Sequence, residues 1–254
     1  MRLALAISVA IGLLPAVGCG SVESGEETRD AQGPPVEPWA SDERELTLLN
    51  TYDAFGAPRE GLTQNFGFST VIRYGGKTIL FDAGSRADIL AENLRRLGVS
   101  PSEIDYAVAS HRHHDHIAGF DYILAQNPKI KLFLPPDFFG FGAPLKFSFG
   151  GKEPDAGASL EQDQRYFAGK LDPKDHEIVS TGRFWKADIT WVRESTEIAK
   201  GLRVLLTRSE LMGTFVRYPP NGEKAKLIGM PELSLTLTTS KGTVLVVGCS
   251  HSSV

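Results

Sequence analysis

Ser110-His111-Arg112-His113-His114-Asp115-His116 is the stretch on which this chain's reading turns. The chain has six histidines, and four of them fall between positions 111 and 116. The run follows Tyr106-Ala107-Val108-Ala109-Ser110, a short apolar segment of strand character. It precedes Ile117 to Gln126, which reads as a helix closed by Asn127-Pro128. The histidines thus stand where a buried strand ends and a helix begins. His111 and His113 are two residues apart, so in extended backbone they share one face. Asp115 and His116 then turn with the chain into the helix. Imidazoles and a carboxylate set this close suit a borderline cation such as zinc, which takes nitrogen and oxygen ligands. A histidine-rich exposed tract is the bland alternative, resting on composition alone.

Upstream, Leu46 to Asn50 reads as a first strand and Gly61 to Gly67 as a loop. Ser69 to Tyr74 and Lys77 to Phe81 flank Gly75-Gly76, which predicts a hairpin, because glycines accept the positive φ of a tight turn. That hairpin ends in Asp82-Ala83-Gly84. Ser85 with Asp88 reads as a capping box, and Leu90, Leu94 and Leu97 as a helix stripe stopped by Gly98. Ser100-Pro101-Ser102-Glu103 predicts a short helical turn, and Lys129 to Leu134 a strand. Downstream, Gly201 to Thr207 is strand-like, and Leu233 to Thr239 alternates strictly. Ser240-Lys241-Gly242 turns the chain into Thr243 to Val247, and this hairpin ends in Gly248-Cys249-Ser250-His251. Each half therefore brings a polar residue to the tip of a buried hairpin, as if two halves met at one site. The order of elements is α/β.

Two regions stand apart. Residues 135–190 are irregular and aromatic, with Pro135-Pro136, Phe138-Phe139, Phe141, Phe147 and Phe149. They read as a lid or binding loop, or as a surface insertion with its own small core. His176 lies there and is expected at the surface. At the amino end, Arg2 precedes the apolar run Leu3 to Leu14, so residues 1–18 read as an export signal. Ala16-Val17-Gly18-Cys19 resembles the lipobox of bacterial lipoproteins, with Ala16 where leucine is usual. Acylation of Cys19 would anchor the protein to a membrane at the periplasm or cell surface. Plain cleavage nearby would leave Cys19 an ordinary residue. Residues 19–45 read as a disordered tether and residues 46–254 as the folded domain.

Composition bounds the rest. The 254 residues are 41% hydrophobic and 23% charged, which allows one large domain or two small ones. Lys+Arg is 27 against Asp+Glu 31, a net charge of -4, so no basic excess exists for nucleic acid. Two cysteines make no disulfide framework. The expected partners are a small-molecule substrate and, through Cys19, a membrane.

His111-x-His113-x-Asp115-His116 resembles the H-x-H-x-D-H motif of the metallo-β-lactamase-fold hydrolases. Phe81-Asp82-Ala83-Gly84 and Gly248-Cys249-Ser250-His251 support the likeness. With Asn65-Phe66-Gly67-Phe68-Ser69 they resemble the subgroup named for 7,8-dihydropterin-6-methyl-4-(β-D-ribofuranosyl)aminobenzene 5'-phosphate synthase. The resemblance implies a four-layer αβ/βα sandwich with metals at one edge of the sheets. It implies that His111, His113 and His251 hold one metal, and that Asp115 and His116 begin a second site. Asp82 would steady the ligand loop from behind. His114 would be exposed or stand behind the ligands. The cofactor would be one or two zinc ions, or other divalent metals such as manganese or iron. The activity implied is hydrolysis of a phosphoester or other ester by metal-activated water, with Asp115 also taking a proton. The same chemistry serves a lactonase or a β-lactamase-like amidohydrolase. A lipid-anchored metal-binding protein without turnover is the reading from another class. The family's further ligands would follow the second hairpin, but the sequence ends at Val254; a fragment of a longer protein, a truncated and crippled copy, and divergence to one metal are the readings, and a fragment with an incomplete second half is the expectation. Cys249 has three candidate roles, ligand, nucleophile and small core filler, and core filler is the expectation.

Overall fold

Strands buried on both faces need apolar residues at odd and even positions alike. The first half of the chain supplies them: Val71 and Ile72, Ile79 and Leu80, Ala107 and Val108, Leu132 and Phe133 are all buried neighbours. The computed structural model describes residues 46–136, 188–211 and 229–251, with the backbone of 215–216 and 227–228. Its larger sheet has six strands in chain order: β1 (Thr47–Asp53), β2 (Phe68–Tyr74), β3 (Lys77–Phe81), β4 (Tyr106–Val108), β5 (Lys131–Leu134) and β6 (Asp188–Trp191). β1, β2 and β3 pair antiparallel, and β3 to β6 pair parallel. Gly75 and Gly76 turn the β2–β3 hairpin at φ 59° and 72°.

The second sheet is antiparallel, built from β7 (Thr196–Ala199), β8 (Leu202–Thr207), β11 (Glu232–Thr239) and β12 (Gly242–Val246) in the order β12-β11-β8-β7. A small ribbon, β9 (Phe215–Val216) and β10 (Leu227–Ile228), lies between β8 and β11 in sequence. The helices are α1 (Ala87–Arg96), α2 (His114–Ile117) and α3 (Phe120–Gln126), with one 3₁₀ turn at Pro101–Glu103. Two apolar cores divide the alternating side chains. Ile72, Ile79, Phe81, Val108 and Phe133 pack against Leu202, Val204, Leu233, Leu235 and Leu237 between the sheets. Val71, Leu80, Ala107 and Leu132 pack against Leu90, Leu94, Phe120 and Ile123 of the helices. Helices, sheet and sheet stack in that order, as in an αβ/βα sandwich, and all three described helices belong to the first half.

Three expectations change, and one strand was not foreseen. Ser85 does not cap α1: Arg86 is the N-cap and makes no side-chain cap bond. Ser85 Oγ instead contacts Tyr52 Oη at 3.0 Å and Asn65 Oδ1 at 3.3 Å, while Asp88 pairs with Arg86. The helix expected over Ile117 to Gln126 begins only at Phe120, and a separate turn, α2, precedes it over the histidines, because Ala83 N–H donates to the His116 carbonyl at 2.7 Å and draws the turn onto the β3–α1 loop. Gly119 permits that approach, since a Cβ there would strike the Ala83 carbonyl oxygen. The irregular region 135–190 ends in a strand: Asp188-Ile189-Thr190-Trp191 pairs with β5, too short and polar to signal itself. β7 was likewise unforeseen. The signal, the tether, Cys19, Phe138 to Phe149 and His176 lie outside the described residues.

Candidate metal centre

The centre sits where β3, β4 and β12 run out. Asp82 follows β3 at φ 59°, a left-handed conformation that aspartate tolerates better than most residues. Its fully buried carboxylate accepts three hydrogen bonds. Ser110 N–H reaches Oδ1 at 2.6 Å, and Ser110 Oγ and His116 Nδ1 reach Oδ2 at 2.7 Å each. Ser110 Oγ thus gives its proton to Asp82, so it accepts from His111 Nδ1, 2.8 Å away. Both Nδ1 atoms therefore carry protons, which leaves the Nε2 atoms of His111 and His116 as the positions facing the centre.

Those nitrogens converge. His111 Nε2 lies 3.0 Å from His113 Nδ1, and His251 Nε2 lies 3.1 Å from the same atom. His251 is 138 residues along the chain from His113. Beside this trio, His116 Nε2 stands 3.5 Å from Asp115 Oδ2 and 3.3 Å from Cys249 Sγ. Asp115 Oδ1 is buried and has no hydrogen-bond partner among the described residues. His111, Cys249 and His251 present donor atoms within 4.8 Å of one another, and so do Asp115, His116 and Cys249. His114 stands half-buried at the first position of α2, outside these groups. The core-filler expectation for Cys249 is corrected: the free thiol is half-buried, 3.3 Å from His116 Nε2 and within 4.8 Å of donor nitrogens of His111 and His251.

The second sheet is fastened to the motif. Leu233 N–H of β11 donates to the Ser110 carbonyl at 2.7 Å. Gly248 passes so close to Ser110 and Asp82 that a Cβ would collide with the serine hydroxyl. Glu232, buried at the start of β11, accepts the N–H groups of Cys249 and Ser250 on Oε1, each at 2.9 Å. That bond pair holds Ser250 at φ 58° and aims His251. Sequence reasoning missed both Ser110 and Glu232. The signals were faint: a hydroxyl next to the first histidine, and an acid opening an otherwise apolar–polar strand.

Electrostatics divide the imidazoles. Burial, reinforced by neighbouring positive charge, holds His111 well below the usual histidine value. Burial, with the charges of His251 and Arg112, brings His113 down to about 2. Burial, with those of His116 and Arg112, brings His251 down to about 4. His116 goes the other way: burial opposes its charge, but the Asp82 carboxylate and its hydrogen bond lift it well above the usual value. Three rings are thus kept neutral with lone pairs inward, and positive charge is favoured beside Asp82 and Asp115. Nitrogen, carboxylate and thiol donors within 4.8 Å of one another, one of them from a carboxylate with an unpartnered oxygen, fit a borderline divalent cation.

Residues 62–248 match the Metallo-beta-lactamase superfamily. The 7,8-dihydropterin-6-methyl-4-(beta-D-ribofuranosyl)-aminobenzene-5'-phosphate synthase of Methanocaldococcus jannaschii is 27% identical over 214 residues, 81% of this chain and 67% of that protein. The ribonuclease Z of Nanoarchaeum equitans is 45% identical over 56 residues, 22% of this chain and 17% of its own length. Among solved structures, a quorum-quenching N-acyl homoserine lactone lactonase aligns with 79% of this chain and 71% of its own, at TM-score 0.41 and 15% identity. The matched span takes in every strand of the two sheets except β1 and carries the histidine motif within it; the chain belongs to the metallo-β-lactamase superfamily.

Proposed function

We propose that this protein is a hydrolase of phosphoesters that holds two divalent cations, zinc by preference. The observation that carries this is that His111 Nε2 and His251 Nε2 both close on His113 Nδ1, at 3.0 and 3.1 Å, with Asp115 and His116 alongside. The phosphoester class is supported by the 27% identical relative, which is named as a synthase of a 5'-phosphate. His111, His113 and His251 would hold one cation, and Asp115 and His116 the other. Zinc so held supplies two things: it lowers the pKa of a bound water towards about 7, and it polarises the ester under attack.

The chain's own residues contribute aim, dryness and a place for the proton. Asp82 fixes His116 directly and His111 through Ser110 Oγ, so neither ring must reorient during a turnover. His111, His113 and His116 are buried, which strengthens every charge interaction at the centre. Asp115, turned to His116 through Oδ2, would take the proton of an attacking water.

The test is hydrolysis by the purified full chain of a phosphodiester, a phosphomonoester and a lactone, with and without chelator. Metal-dependent cleavage of a phosphoester, lost in His113→Ala, is expected. Cleavage of the lactone alone would move the substrate class to carboxylic esters. Tight metal binding with no turnover of any ester would make the protein a binding protein.

A further inference from the structure

The ligand set above leaves Cys249 without a task, yet its sulfur stands where the two donor groups join. It lies within 4.8 Å of the donor nitrogens of His111 and His251 on one side. On the other it lies within the same distance of His116 and an Asp115 oxygen, with Sγ 3.3 Å from His116 Nε2. An independent observation points to a cation at this place. The Asp115 side chain is only 9% exposed, and its Oδ1 is buried without a hydrogen-bond partner among the described residues. His116 meets Oδ2, but a buried carboxylate oxygen left without a donor is costly unless a cation or a proton meets it. The backbone around the sulfur is held from three sides. Gly248 packs against Ser110, Glu232 Oε1 accepts the N–H groups of Cys249 and Ser250, and Ser250 is left-handed at φ 58°. These restraints aim sulfur and imidazole into the same centre.

We propose that the Cys249 thiolate is a ligand of the metal centre, completing with Asp115 and His116 a mixed oxygen, nitrogen and sulfur donor set. The proposal rests on the metal-centre reading above and extends it to a residue the histidine motif does not contain. On binding, a sulfur–metal bond replaces the S–H bond and the thiol proton leaves to solvent. A thiolate makes the set selective: borderline cations such as zinc and cobalt are favoured over magnesium and manganese, which prefer oxygen donors.

Cobalt reports sulfur ligation by its spectrum. The full chain is stripped with chelator and loaded with cobalt(II), as wild type and as Cys249→Ala. The wild type should show a near-ultraviolet sulfur-to-cobalt band. The variant should lose it and keep the visible bands of a nitrogen-liganded ion. The variant's zinc affinity should fall by at least about tenfold, the effect that losing even an outer partner of a ligand produces. Visible bands without a sulfur band in the wild type would overturn the role of Cys249 and leave the histidine centre standing. A wild type that takes up no cobalt would overturn both. Should the variant fail to fold, the wild type decides alone. Zinc should slow iodoacetamide labelling of the Cys249 peptide by about tenfold or more, since the free thiolate is the nucleophile, and chelator should restore it. Equal rates with and without zinc would overturn the proposal.

Discussion

Asp82 touches three groups and no solvent, and its charge decides which nitrogen of two histidines carries a proton. Asp82→Asn keeps the shape but replaces one acceptor oxygen with a donor. Facing Ser110 and His116, that donor would displace His116 from its tautomer. Zinc affinity should then drop by about 10- to 100-fold, read by competition with a chromogenic chelator; unchanged affinity would contradict the role given to Asp82. The depressed histidines make a second prediction, for the metal-free protein. Their ordinary value is 6.5, and folding lowers His251 to about 4 and His113 to about 2. As pH falls through 6.5 the unfolded chain takes up protons that the folded chain refuses, so stability falls across that window. His116, raised by Asp82, has the opposite sign: its contribution is complete below 6.5 and fades as pH climbs through its higher folded value. Three lowered rings against one raised ring set the direction, so the melting temperature of chelated protein should fall from pH 7 to pH 5. A melting temperature that rose on acidification would contradict this. His111, His113, Asp115 and His116 were legible in the sequence because they are packed into six residues. Ser110 and Glu232 were not, because they act through hydrogen bonds to backbone and ring nitrogens that no spacing encodes.

The elements explain why the residues meet. β4 and β3 are parallel neighbours, so their ends place Ser110 beside Asp82, and the antiparallel β11–β12 hairpin returns Cys249 and His251 to the same edge. Hairpins and strands of this kind were readable from Gly-Gly and from strict alternation. The break between α2 and α3 was not, since it depends on Ala83 N–H capturing the His116 carbonyl, a contact 33 residues away. Gly248 belongs to this scale. Gly248→Ala would push a methyl group into Ser110 Oγ, parting β12 from the motif. Such overpacking costs roughly 1–3 kcal/mol. The variant should melt lower and bind zinc more weakly, measured by thermal unfolding with and without metal. A variant with wild-type melting and wild-type zinc binding would refute the close approach.

At the scale of the molecule, two cores do separate work. The helix-side core fixes the larger sheet, and the core between the sheets sets how the His251 hairpin meets the histidine motif. Phe81, fully buried between the sheets one residue before Asp82, belongs to the second core. Phe81→Ala should cost about 3–5 kcal/mol and loosen the centre along with the fold, seen as a lowered denaturation midpoint. A midpoint within the error of wild type would contradict the placement of that core. The layered order was legible because buried strands advertise themselves, whereas short polar edge strands such as β6 and β7 carry little apolar signal. We propose that the protein works outside the cytoplasm, tethered through acylated Cys19, on the strength of the apolar run Leu3 to Leu14 and the small residues that follow it. Metabolic palmitate labelling of the full chain should mark the wild type and spare Cys19→Ser; equal labelling would refute it.

The central claim is that two separated stretches of chain build one metal centre. Its most direct measurement is zinc per chain, by elemental analysis of dialysed full-length wild type and His251→Ala. About two zinc ions are expected in the wild type, as in a two-metal site, with the ion beside His113 lost from the variant. A wild type that retains no zinc, or a variant that binds as much as the wild type, would contradict it.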